Sequence, residues 1–479
     1  MWFNSISFLW FFLVVYGLYL SLDHKAQNRM LLLASWIFYG WWDYRFVALL
    51  VLSSVLDYWC GIKIHASDNP RIRKQWLMLS VLGNVSILGF FKYFNFFAES
   101  LHVLLTSVGL PFDSWTLNVI LPVGISFYTF QTMSYTLDIY YKRLTPTRDF
   151  LNFALFVSFF PQLVAGPIER ARNLLPRIEA RRNLDGAQIK DGMFLIAWGL
   201  FKKVVIADNV SVIVNSVFVP GSQPSGVDVT LGLCAFAVQI YCDFSGYSDI
   251  ARGLAKMMGM ELMVNFRIPF AAVRPADFWA RWHISLTSWV RDYVFIPMGA
   301  NKKGTWRTVF NLIAIMTLIG LWHGAQWTFV LWGLLFGLVQ AGHYLLLPWL
   351  NKIPSPSTRF GKTMSASLCR IGTVSLFAGS VVLFRAESLS HTLELMQGLA
   401  SRFYATEDSL PHALWLLFLS MPMVIMQAAQ HRTGDLMIFR KLPASAQLFW
   451  SLCALLMMLG IYWFTSSLSS GDEFIYFQF

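Results

Sequence analysis

Along most of this chain the apolar residues neither alternate nor recur at helical spacing; they run on without interruption. Runs of about 20 residues, the length a helix needs to cross a bilayer core, recur from Phe3 to Gly460. The runs predict spans near 3–22, 30–44, 46–60, 76–97, 117–140, 192–216, 229–250, 308–328, 330–350, 371–384, 412–428 and 446–466. Two further runs, 150–165 and 277–299, are interrupted by Pro161, Pro297 and charges. They read as re-entrant or interfacial elements, which persist only where protein or water satisfies their backbone. The predicted fold is all-α: a polytopic integral membrane protein of about 11–13 transmembrane helices plus re-entrant or interfacial helices. No stretch is long enough for a separate soluble domain, so residues 1–479 are read as one domain. Helices that are apolar all round give no packing face, and no repeat of fixed period is visible.

Composition agrees with this. Charged residues are 13% of the chain, about half the share of a soluble domain, so water is not the main solvent. The first run has no basic leader and no small-residue cleavage site, and is read as a retained helix, not a signal peptide. A net charge of +11 raises nucleic acid as a partner, but the basic residues gather in short loops, as the positive-inside rule predicts. No nucleic acid is expected. Placing Met1 outside makes 23–29, 61–75, 141–149, 166–203, 251–307, 351–370 and 429–445 cytoplasmic, and only Arg45, Lys92, Arg385 and Arg402 fall elsewhere. The segments 98–116, 217–228 and 467–479 contain no Lys or Arg, which favours this orientation over its inverse. Cys60, Cys234, Cys242, Cys369 and Cys453 are scattered, with no Cys-x-x-Cys pair and no histidine at metal spacing, so neither disulfides nor a metal site is expected. The 20 Trp and 42 Phe read chiefly as interfacial belts, as at Trp36, Trp41 and Trp42.

Three clusters carry candidate chemistry. Between Thr308 and Leu350 there is no Asp, Glu, Lys or Arg, and the ionisable side chains are His323 and His343. His323 lies 15 residues into its predicted span, about 22 Å deep, in Gly320-Leu321-Trp322-His323-Gly324-Ala325-Gln326-Trp327. The glycines permit close backbone approach or a helix break, which suggests a cavity. A desolvated neutral imidazole removes a proton from a hydroxyl near neutral pH, which is what alcohol acylation requires. The plainer reading is a histidine bonded to a neighbouring helix. His343, beside Tyr344, reads as an interfacial anchor.

The second cluster is Asp277 to Asp292. Read as one helix, it sets His283, Thr287 and Arg291 on one face, with Arg281 nearby, as a channel wall would. The competing reading is an amphipathic helix in the headgroup region with its arginines on lipid phosphate. The third cluster, Gln239 to Asp249, brings Asp243, Ser245 and Asp249 to the inner end of a span. Carboxylates at membrane depth need partners, and Arg252, Arg281 or a helix N-terminus is expected to supply them. No nucleotide-binding loop, Gly-x-Ser-x-Gly elbow or His-Glu-x-x-His motif is present, so soluble-enzyme chemistries have no support.

Five stretches together carry a resemblance. They are Pro161-Gln162-Leu163-Val164-Ala165-Gly166-Pro167-Ile168, Asp243-Phe244-Ser245-Gly246-Tyr247-Ser248-Asp249, Asn265-Phe266-Arg267-Ile268-Pro269-Phe270, Phe278-Trp279 through Arg281-Trp282-His283, and Trp322-His323-Gly324. In this order the sequence resembles the membrane-bound O-acyltransferase family, in the bacterial branch that includes alginate O-acetyltransferases. The resemblance implies helices ringing a thin centre, with a tunnel joining a cytoplasmic donor side to an outer acceptor side. It implies that His323 is the family's catalytic histidine and His283 its second signature histidine. It also implies a location in the bacterial inner membrane, a polysaccharide acceptor and separate extracytoplasmic acetyltransferase partner proteins.

The expected activity is O-acetylation of a secreted polysaccharide, with the acetyl group taken from a cytoplasmic thioester. No cofactor is expected to stay bound; acetyl-CoA or an acyl carrier protein serves as substrate, and lipid surrounds the chain. Asp243, Ser245, Arg281, Thr287, Arg291, Asn311, Trp322 and Gln326 are expected along the tunnel, with Asn311, Gln326 or a backbone N–H near Gly324 as oxyanion donors. The aromatic C-terminus resembles the tail of a small companion of D-alanyl transferases, which implies Tyr476 as an acyl carrier; an interfacial anchor is the alternative. The rival functions are a polysaccharide transporter or flippase and a non-catalytic scaffold.

Overall fold

The computed structural model describes residues 1–110, 116–117, 119–354, 356–447, 451–452, 456–457 and 460. Every regular element among them is a helix. Seven helices are long and apolar enough to cross a membrane: Arg45–Ala66, Pro70–Ser107, Gly226–Met257, Thr305–His323, Trp327–Leu350, Arg359–Arg385 and Ser409–Thr433. The lower number than the 11–13 expected has a plain cause. Ile6–Ser21, His24–Gly40 and Ile125–Tyr140 are 16 or 17 residues long, and most of the predicted span 446–466 lies outside the described residues.

The described chain forms two compact units, residues 1–196 with 248–263 and residues 197–247 with 264–479. In the first, Ser5 and Asp23 cap the two opening helices through their side-chain oxygens. Ile125–Tyr140 is its most enclosed helix. Gly61 lets that helix approach: a Cβ there would stand 2.4 Å from the Tyr135 ring. Asp57, fully buried, accepts from Ser80 Oγ at 2.5 Å and from Asn84 Nδ2 at 2.7 Å, so its polar atoms are satisfied without an arginine or lysine.

In the second unit, Thr305–His323 and Trp327–Leu350 form a tight hairpin. A Cβ on Gly320 would lie 2.2 Å from Phe329 O, and one on Gly333 would lie 2.3 Å from Met316 O. Small residues bring the two backbones into contact, the usual basis of helix pairing in lipid. The hairpin fixes the end of the first helix, which is where His323 stands.

Two expectations are corrected here. The segment 166–203, placed on the cytoplasmic side with its basic residues in short loops, overlaps the predicted span 192–216, and the continuous helical stretch from Gly186 to Val217 contains that span. Lys202 and Lys203 lie in its π-helical turn Phe201–Ala207 and are buried, not looped out. Nor is Asp277–Asp292 one helix: Pro275–Arg281 ends, His283 takes a left-handed conformation at φ 45° and ψ 51°, and Ile284–Val290 begins anew. His283, Thr287 and Arg291 therefore do not share one face.

Candidate active site

The site is built from the end of one membrane-length helix and the break between two short ones. His323 is the last residue of Thr305–His323, about 27 Å from its start at 1.5 Å per residue. The chain then turns through Gly324, whose position a larger residue would not fit, since a Cβ would meet the Phe329 ring at 2.2 Å. Only 5% of His323 is exposed. Its ring is boxed by Trp322, Trp332 and Phe384, with centroids at 5.0, 5.4 and 5.3 Å. Such a box keeps bulk water from the imidazole.

His283 also neighbours Trp322, whose ring lies 5.9 Å from it and 5.0 Å from His323. Both histidines thus neighbour one indole. His283 is itself held from three directions. Phe244 meets its ring edge-on at 4.7 Å, Asn265 O accepts from the following Ile284 N at 2.9 Å, and Asn265 Oδ1 lies 3.2 Å from His283 Nδ1. The same Oδ1 accepts from Ser285 N at 3.2 Å and Ser285 Oγ at 2.9 Å. A backbone N–H only donates, so this atom is the amide oxygen, and Nδ1 must carry a proton toward it. In the neutral ring the lone pair is then on Nε2.

The remaining expected site residues divide clearly. Asp243 is paired with Lys203 at 2.9 Å, which also holds Asp208 at 2.7 Å, and Ser245 Oγ accepts from Lys202 at 2.9 Å. Their partners are lysines of the π-helical turn, not the expected Arg252 or Arg281. Arg252 pairs with Asp249 at 3.2 Å, as expected for the second carboxylate of that cluster. Arg281 is committed to Asp277 at 2.7 Å, and exposed Arg291 to Asp292. Thr287 Oγ1 turns back to His283 O at 3.2 Å. Asn311 Nδ2 donates to Ala300 O at 3.1 Å, and its position 12 residues before His323 sets it about 18 Å away along the helix. That separation removes it as an oxyanion donor. Gln326 is exposed at the start of Trp327–Leu350. Tyr476 lies outside the described residues.

Sequence reasoning missed Lys202, Lys203 and the role of Asn265. The lysines left a signal, two adjacent charges inside the apolar run 192–216. Asn265 left only its place in a motif.

Comparison with known proteins covers both histidines. The profile of the membrane-bound O-acyltransferase family matches residues 74–383. A probable alginate O-acetylase of Pseudomonas putida is 40% identical over 400 residues, spanning 83% of this chain and 79% of that protein. The peptidoglycan O-acetyltransferase of Helicobacter pylori is 36% identical over 430 residues, with the same two shares of 83% and 79%. A teichoic acid D-alanyltransferase of Streptococcus thermophilus is 28% identical over 280 residues, 54% of this chain and 65% of that protein.

Proposed function

From the premise that this chain belongs to the membrane-bound O-acyltransferase family, we propose that it takes an acetyl group from a cytoplasmic thioester and serves O-acetylation of a secreted polysaccharide at the bacterial inner membrane. That it is a multi-pass membrane acyltransferase follows from the family and the seven apolar helices. Alginate is the proposed acceptor, because the probable alginate O-acetylase relative is 40% identical and the peptidoglycan O-acetyltransferase, aligned over the same shares of both chains, 36%. Acetyl-CoA or an acyl carrier protein is the proposed donor, with extracytoplasmic acetyltransferases as partners.

The observation that carries the mechanism is an enclosed imidazole at the end of a membrane helix, walled by three aromatic rings. A thioester is already activated, so the protein must bring the hydroxyl to it, take its proton and keep water away. His323 accepts the proton of the attacking hydroxyl as that oxygen bonds to the thioester carbon. When the C–S bond breaks, the same imidazole returns the proton to the thiolate, so one ester and one free thiol leave and no net proton is consumed. His283, with its lone pair on Nε2, orients the donor beside Trp322. Tyr476 remains the proposed intermediate acceptor, holding the acetyl as a phenol ester before release.

Purified protein in sealed proteoliposomes, with labelled acetyl thioester on the cytoplasmic face, tests the reading. Label is expected on an added polysaccharide or partner at the other face, with equal free thiol released. Thioester that stays intact in the presence of acceptor and partner would reject it.

A further inference from the structure

Where Trp327–Leu350 and Arg359–Arg385 diverge beside Val273 and Pro275, a cavity of about 710 Å³ opens. Its lining joins three basic side chains, Arg274, His343 and Lys362, to the apolar Leu350 and Leu376. Asp277, whose carboxylate accepts from the lining Val273 N at 3.3 Å, is paired with Arg281 at 2.7 Å. No acid lines the cavity, and from Thr305 to Arg385 the sequence contains no Asp or Glu. Arg274 and His343 line the same cavity from two different segments. The two cations, Arg274 and Lys362, gathered at the edge of a low-dielectric region repel unless an anion joins them.

The shape says which anion. The surfaces of the same helices carry exposed Leu346, Leu368 and Ile371, the signature of faces that meet lipid. Toward His323 the way is filled: Trp279 packs on Phe336 at 5.0 Å and on Trp332 at 5.8 Å, and Phe278 packs on Phe377 at 4.7 Å. His343 is 11 residues beyond Trp332, about 16 Å along the helix. A ligand seated here therefore faces the bilayer, not the imidazole.

We propose that this cavity binds the phosphate of an anionic phospholipid, with the acyl chains lying along Leu350 and Leu376. Arg274 grips the phosphate in its planar fork, and Lys362 adds a point charge from the next helix. The lipid ties the start of Pro275–Arg281, the helix that carries Trp279, to the second helix of the hairpin whose turn follows His323.

The test uses the whole purified protein in detergent, titrated with phosphatidylglycerol or phosphatidylcholine and read by native mass spectrometry. Wild type should retain phosphatidylglycerol preferentially. Arg274→Ala with Lys362→Ala should weaken that binding by about 30-fold, two surface charges' worth, while Arg274→Lys with Lys362→Arg keeps most of it. Should the alanine pair unfold, Lys362→Gln alone, at an exposed position, should still weaken it by about 5-fold. Equal retention of the two lipids by wild type would overturn the proposal. So would unchanged phosphatidylglycerol binding in the variants, including the case where only their KM for a phosphate-bearing thioester rises.

Discussion

Asn265 Oδ1 stands 3.2 Å from His283 Nδ1 and takes two further hydrogen bonds from Ser285. One side chain, 18 residues upstream, thereby sets the tautomer of His283 and holds the left-handed turn that aims it. A non-glycine residue at positive φ is costly, and this clamp offsets the strain.

Replacing Asn265 with alanine strips acceptors from two donors of Ser285 and from the imidazole. Turnover should fall about 10- to 100-fold, the usual effect of losing a partner that orients a working histidine. Asn265→Asp keeps an acceptor oxygen and should recover much of the loss. Steady-state kinetics of both variants over a range of pH check this; equal losses would mean that the residue only packs.

Gly333→Ala tests whether the hairpin sets the site. Its new Cβ would meet Met316 O at 2.3 Å, so the helices must part and carry His323 with them. Overpacking of this kind costs about 1–3 kcal/mol. A lower melting temperature in detergent and a lower rate are expected together, while Gly342→Ala, with open space around it, should change neither.

Much of this was legible in the sequence, for physical reasons that also mark the limits. An apolar run of membrane length has few alternatives, so the long helices and the position of His323 within one of them could be read directly. Lys202 and Lys203 fall in the overlap of the predicted span 192–216 and the segment 166–203 placed on the cytoplasmic side, so sequence alone leaves them between membrane and loop; here Asp208, Asp243 and Ser245 satisfy them inside the protein. The break at His283 was invisible because the local pattern suits a helix, and the clamp that opposes it comes from Asn265. Asn311 looked available for chemistry because its partner, a backbone carbonyl of Ala300, leaves no trace in sequence.

A pH effect on stability should come from Glu169, outside the predicted spans. Burial pushes its carboxyl up to about 7, opposed by hydrogen bonding from Met263 N and by nearby Arg177 and Arg170. With the folded pKa above the unfolded one, the protonated form is favoured in the fold, so stability declines as pH rises from about 4.5 to about 7 and then levels off. The change should be on the order of a few kcal/mol. Glu169→Gln should flatten this part of the profile in a melting series at pH 4.5 to 8; an unaltered slope would assign it to other groups.

Tyr476→Phe separates an acyl carrier from an anchor, because it keeps the ring and removes only the hydroxyl. The variant should insert normally and lose acetyl delivery, and wild type quenched in mid-turnover should yield an acetyl-tyrosine peptide at this position. Full delivery by the variant would leave Tyr476 as an anchor.

The central claim is that His323 moves the proton in acyl transfer, and single-turnover acetyl transfer by purified His323→Ala protein tests it most directly. With folding confirmed by an unchanged melting temperature, the rate should drop by about 10²- to 10⁴-fold, the range for loss of a general base, while thioester binding persists. Transfer at the wild-type rate by the folded variant would contradict it.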